Sequence, residues 1–235
     1  MNTLLPNGLA PMDLSPGGGG TVQRVYDSLR QRIITLELPP ETTLSRTELT
    51  QTYDVSQTPI REALQRLQQD GLVRIYPQSR TLVTRIEVPQ IYEAHFLRVA
   101  LETEVVRGLA QYGSDDVAVR AASIIRMQEA IAEDTAQLRM FQELDELFHQ
   151  TLFIGLGRLG LHQLIRARSG HLERLRRLHL PEAGKIVDIL AGHHEIVRAI
   201  QDRNPDRAEA AMREHLSRTV SKVEELRREY PQFFA

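Results

Sequence analysis

Beyond Pro89 the apolar residues of this chain recur at helical spacing almost to the end, which leaves no place for a sheet-based fold over that length. The pattern predicts six helices, over about 89–111, 115–133, 136–154, 159–178, 183–203 and 206–228. Gly113, the Gly155/Gly157/Gly160 group, Pro181 and Asn204-Pro205 separate them. The chain before Pro89 reads differently. Residues 1–20 hold three Pro and five Gly, four of them consecutive, and are expected to form a flexible tail. From Thr21 to about Leu36, Val22, Val25, Tyr26, Leu29, Ile33 and Leu36 mark a helix that Pro39-Pro40 stops. Two short helices follow. Ser45 caps the first, which ends near Tyr53. Ser56 caps the second, with Pro59 in its first turn and Gly71 at its end. Two β-like runs, 72–76 and 81–85, then read as a hairpin with a polar tip. The expected architecture is mainly α, in three parts: the tail at 1–20, a helix–helix–helix–hairpin unit at 21–86, and an all-helical bundle at 87–235.

Composition excludes several functions. The 235 residues include no cysteine, so disulfides, thiolate metal ligands and cysteine nucleophiles are absent. No apolar run approaches the ~18 residues that span a bilayer, and the start of the chain lacks the pattern of a signal peptide. A cytoplasmic protein without membrane contact is expected. The 29 basic and 31 acidic residues give a formal charge of −2. Residues 21–85 carry 9 basic and 7 acidic side chains, an excess that permits nucleic-acid binding without demonstrating it.

The order helix, short turn, helix, hairpin describes a winged helix-turn-helix. Asp54-Val55 forms the turn, with Val55 as the apolar plug between the helices. Ser56, Gln57, Thr58 and Arg61 open the second helix with the short, donor-rich side chains that groove entry requires. Arg61 can reach a base edge or a phosphate, and Arg80 at the wing tip can enter the minor groove or touch the backbone. The alternative is that these residues merely cap a packing module. The runs Leu44-Ser45-Arg46-Thr47-Glu48-Leu49, Val55-Ser56-Gln57-Thr58-Pro59-Ile60-Arg61-Glu62-Ala63-Leu64 and Gly71-Leu72-Val73 resemble the winged helix of the GntR family of bacterial transcriptional regulators. That resemblance implies that Ser56, Thr58 and Arg61 contact DNA. With Arg46, Thr47, Gln57 and Arg80 they make up the candidate double-stranded DNA contacts. Gln57 and Thr47 stand where the family commonly has arginine, and Arg80 replaces the wing glycine.

In the bundle, polar residues lie on faces that should be apolar. On a wheel of ~100° per residue, Asp145 and His149 fall in the face of Leu138, Phe141, Leu144, Phe148, Leu152 and Phe153. His193 lies in the face of Ile186, Ile189, Leu190, Ile196, Val197 and Ile200, and His215 in that of Ala208, Ala211, Met212, Val223 and Leu226. His193 is 11 residues before Asn204 and His215 is 11 after it, so an antiparallel hairpin sets them level. An isolated core carboxylate is costly unless paired. A divalent cation satisfies all four groups together. The competing reading is a closed core network in which Asp145 accepts from His149. Zinc is the first candidate, with nickel, manganese and iron also suited to such ligands. His95, His162, His171, His179 and His194 are assigned to the surface or to structural roles. Arg98 and Glu102 share the buried face of the helix at 91–109. They form either an i, i+4 pair closing on itself or part of an anion-binding site, since the arginine fork suits a carboxylate.

The motifs Leu144-Asp145-x-x-Phe148-His149, His193 preceding Ile196 and Ala199-Ile200, and Met212-Arg213-x-His215 resemble the FCD ligand-binding domain of the FadR-like subfamily of GntR regulators. The resemblance implies that Asp145, His149, His193 and His215 are metal ligands beside an effector site, usually for a small organic acid. Arg158 stands where the subfamily has asparagine. The expectation is a homodimeric regulator, not an enzyme, with two winged helices on successive operator half-sites and its DNA affinity set by the acid. The rival is a metal-dependent hydrolase with an accessory N-terminal module.

Overall fold

The computed structural model describes residues 18–77, 79–181 and 184–235. The expectation of a flexible tail at 1–20 falls mainly on residues outside these. Its boundary moves, because Gly18–Gly20 already form the first turn of helix α1 (Gly18–Ile34). Helix α2 (Arg46–Tyr53) starts at Ser45, whose side chain accepts from the Glu48 N–H, and ends at Asp54 in the left-handed region. Helix α3 (Gln57–Gln69) starts after Ser56, but the Ser56 side chain makes no capping hydrogen bond. Gly71, at φ +75°, turns the chain into strand β1 (Val73–Ile75). Strand β2 (Thr81–Val83) pairs antiparallel with it, Val73 opposite Val83. Both strands are shorter than the expected runs. Leu29, Ile33, Ile60, Leu64, Leu67, Leu72 and Val83 form the core of this head.

Among the described residues eight α-helices follow where six are expected: α4 (Val88–Tyr112), α5 (Asp115–Ile131), α6 (Leu138–Gly155), α7 (Leu159–Arg168), α8 (Gly170–His179), α9 (Lys185–Gln201), α10 (Pro205–Val220) and α11 (Val223–Glu229). The predicted helix 159–178 breaks at Ser169. A Cβ on Gly170 would lie 2.5 Å from Leu72 Cδ2, so α8 restarts hard against the head. The predicted helix 206–228 breaks at Ser221-Lys222, and α11 turns to pack on α8. Asn204 caps α10 through its side chain, with Pro205 in the first position, and closes the α9–α10 hairpin.

The bundle core joins α4, α5, α6, α9 and α10 through Val106, Leu109, Ile125, Phe148, Phe153, Ile196 and Met212. A third apolar cluster gathers α4, α8, α11 and residues near 234 around Ile86, where the chain leaves the head. In it Ile86 meets the chain's last residues, donating to Phe233 O and accepting from Ala235 N. No described helix is long and apolar enough to cross a membrane.

A candidate metal centre and a DNA-facing edge

Helices α6, α9 and α10 each turn polar side chains toward one point in the bundle. Asp145, His149, His193 and His215 are all buried, and one ligand atom from each lies within 4.8 Å of all the others. The His193 and His215 rings are 4.7 Å apart, level across the α9–α10 hairpin. Asp145 Oδ1, His149 Nε2 and His193 Nε2 are buried without a hydrogen-bond partner. His193 Nε2 faces Asp145 Oδ1 at 3.5 Å. His149 Nε2 is 3.8 Å from Asp145 Oδ2, too far for the closed Asp145–His149 hydrogen bond that a metal-free core would use.

The surroundings set the charge states that a cation needs. Burial pushes His193 down to about 3 and His215 well below its ordinary value, so both imidazoles are neutral near pH 7. Burial opposes ionisation of Asp145, but the Arg176 guanidinium and then the neighbouring imidazoles outweigh it and hold the carboxyl well below its usual range. Neutral imidazoles with an ionised carboxylate are the protonation states metal binding requires.

Glu102 and Arg98 of α4 lie behind the His149 ring. His149 Nδ1 lies 2.5 Å from Glu102 Oε2, and Arg98 Nε donates to Glu102 Oε1 at 2.6 Å. Glu102 thus faces His149, while Arg98 lines a small cavity beside Asp145 and His215 with Arg176, Lys185 and Arg218. Its free volume is about 20 Å³, near the room one water needs. The i, i+4 pair and the basic cavity are therefore both present, with Arg98 belonging to each.

Sequence reasoning missed Arg176 and Gln128. Arg176 donates a short hydrogen bond to Asp145 Oδ2 from α8. Gln128, on α5, places its Oε1 2.9 Å from His193 Nδ1. Of the remaining histidines, His194 is exposed and pairs with Glu129 at 2.8 Å, and His95 is half-buried. His162, His171 and His179 are buried.

The seven candidate DNA contacts, Arg46, Thr47, Ser56, Gln57, Thr58, Arg61 and Arg80, are all exposed on the head. Ser45, Arg46, Tyr76 and Arg80 line one groove between the start of α2 and the wing. Ser56 and Thr58 line another at the start of α3. The Arg80 guanidinium sits 5.4 Å from the Tyr76 ring centre. Among the described residues Arg46 and Arg61 have neither ion pair nor hydrogen bond within the chain.

The helix α8 touches both regions. Its Arg174 donates to Thr84 O at 2.6 Å, and its Glu173 accepts from the buried Arg30 of α1 at 2.9 Å. Three residues beyond Glu173, Arg176 holds Asp145.

Comparison with known proteins agrees with this division. The family described as bacterial regulatory proteins, gntR family, matches residues 21–83, and the FCD domain matches residues 90–218. An uncharacterised HTH-type transcriptional regulator in an unstable DNA locus of Streptomyces ambofaciens is 35% identical, over 90% of this chain and 88% of that protein. The HTH-type transcriptional repressor RspR of Escherichia coli K12 is 30% identical, over 91% of this chain and 93% of its own. Among solved structures, E. coli McbR/YncC superposes with a TM-score of 0.75 at 16% identity, covering 88% of this chain and 98% of that one. A putative GntR regulator from Rhodococcus sp. RHA1 gives 0.71 at 22% identity, covering 87% and 97%. Both structural likenesses bear on the fold.

Proposed function

The chain belongs to the GntR family of bacterial regulatory proteins, as a DNA-binding transcriptional regulator with an FCD domain, and from that premise we propose that a small organic acid controls its operator affinity from a metal site in the bundle. The observation that carries this reading is the cluster of three orphaned ligand atoms, Asp145 Oδ1, His149 Nε2 and His193 Nε2, joined by His215. Asp145, His149, His193 and His215 hold a divalent ion, zinc first, with nickel, manganese or iron as alternatives. Held there, such an ion would supply a Lewis acid for the carboxylate of the effector.

The chain's own residues supply the rest. Arg98, Arg176, Lys185 and Arg218 line the cavity beside Asp145 and Asp188; the three arginines are ion-paired, whereas among the described residues Lys185 makes no ion pair. A cavity with room for one water admits an acid only if Arg176 leaves Asp145. Arg176 moves with α8, and α8 also grips the head through Arg174 and Glu173. The acid thus biases head placement by its different affinity for the two positions of α8. Two chains form a homodimer in the cytoplasm and set their heads on successive half-sites of a near-palindromic operator. RspR is named a repressor, and repression released by the acid is the sign we infer.

On the head, Arg46, Thr47, Ser56, Gln57, Thr58, Arg61 and Arg80 form the operator contacts. The test is a gel-shift titration of double-stranded DNA selected by the protein itself. Arg61→Ala weakens binding by about tenfold or more and leaves metal content intact, whereas unchanged affinity contradicts the assignment. The metal-dependent hydrolase is not favoured. Glu102, the carboxylate that would have to act as general base, is held by Arg98 and faces His149, and the curated relatives carry the names of transcriptional regulators.

A further inference from the structure

We propose that Gln128 is a positioning residue of this metal centre: its side-chain carbonyl holds His193 in the tautomer that turns a lone pair toward the other ligands. The inference rests on the metal reading above. Gln128 comes from α5, which supplies none of the four ligands, and it is fully buried on a stripe with Val117, Ala121, Ile124 and Ile125. A primary amide in such a place is costly unless it bonds to something. Its Oε1 lies 2.9 Å from His193 Nδ1, the one hydrogen bond its amide makes among the described residues, since its Nε2 is buried without a partner.

A neutral imidazole carries one proton, on one nitrogen. With Nδ1–H donating to Gln128, the other nitrogen, Nε2, is left as an acceptor. That nitrogen is the one facing Asp145 Oδ1 at 3.5 Å, and neither atom has a hydrogen-bond partner. Two buried acceptors pointed at each other are satisfied by a cation. The plane of the ring is fixed separately, since Phe148 stacks on His193 with centroids 3.9 Å apart and planes 17° apart. Stacking sets the plane but leaves the proton free to sit on either nitrogen. Gln128 makes that choice. Glu102 Oε2 lies 2.5 Å from Nδ1 of His149 but out of hydrogen-bonding alignment, so His193 is the ring with a formed hydrogen bond behind it. Outer partners of this kind fix ring orientation and raise ligand basicity.

The experiment uses the full-length chain, stripped by chelator and titrated with zinc against a chromophoric competitor. Gln128→Met keeps the length of the side chain and removes the acceptor. Gln128→Glu keeps an acceptor. Zinc affinity falls about 10- to 100-fold in Gln128→Met and is retained in Gln128→Glu. A packing role alone would lower the melting temperature of the metal-free protein without this split. Nitrogen-15 spectra of the histidine side chains in the zinc-loaded wild type give a readout that needs no variant to fold. They show His193 protonated at Nδ1 and metal-bound at Nε2. Wild-type affinity in Gln128→Met, or metal bound at His193 Nδ1, overturns the role of Gln128 while the metal site stands. A wild-type chain that takes up no zinc overturns both.

Discussion

Arg174 and Arg176 sit in the charged run Glu173-Arg174-Leu175-Arg176-Arg177, a pattern that normally marks a solvated helix face. Yet Arg174 is fully buried against Thr84 and Arg176 is bonded to Asp145. Their partners lie on other elements, so spacing along one helix carries no trace of them. Asp145, His149, His193 and His215 were legible for the opposite reason: each interrupts the apolar stripe of its own helix. Gln128 interrupts the α5 stripe in the same way, and that signal was available in the sequence. His171, read only as surface or structural, is buried, and its Nδ1 accepts from the Glu87 N–H. Burial, then the Arg174 guanidinium, pushes it down to about 3. In the unfolded chain it titrates near 6.5. The folded chain therefore binds fewer protons, so the contribution of His171 is complete above about pH 6.5 and is lost as pH falls from there toward 3. His171→Asn keeps an acceptor for Glu87 and removes the titration. Urea midpoints measured between pH 7 and 4 fall less steeply in this variant than in wild type; parallel curves would contradict the assignment.

At the scale of the element, periodicity located every α-helix among the described residues but not where two of them break, nor the 3-10 turn Pro231–Phe233. Both breaks have tertiary causes: α8 restarts because Gly170 abuts Leu72, and α11 turns away to pack on α8. Periodicity cannot register a contact with a residue nearly a hundred positions earlier. The α9–α10 hairpin, by contrast, was readable from Asn204-Pro205, and equal distance from that turn set His193 level with His215. The closeness of the two helices rests on Gly192. A Cβ there would lie 2.7 Å from His215 Nδ1, within the ligand cluster. Gly192→Ala forces His215 or the helix backbone aside, costing about 1–3 kcal/mol of stability and lowering metal affinity. Gly160→Ala, where a Cβ meets nothing within 4 Å, leaves both unchanged or slightly raises stability. Equal metal affinity in the two variants would refute this account of the hairpin.

Across the whole molecule, three apolar clusters divide the work. The head and bundle cores follow from stripes visible in the sequence, whereas the third cluster does not, because Ile86, Leu172, Leu226 and Phe234 are scattered along the chain. Nor does the Arg30–Glu173 pair, which locks the head to α8 from 143 residues away. Helix α8 touches the head through Arg174 and Glu173 and the ligand cluster through Arg176; the proposed control of the head therefore depends on that cluster holding a metal ion. Elemental analysis of the purified full-length chain, beside His193→Ala, His215→Ala and His194→Ala, tests it most directly. We expect roughly one divalent ion per chain in wild type and His194→Ala and a large loss in the other two; full occupancy in His193→Ala and His215→Ala, or a wild type that retains no ion even after zinc is supplied, would contradict it.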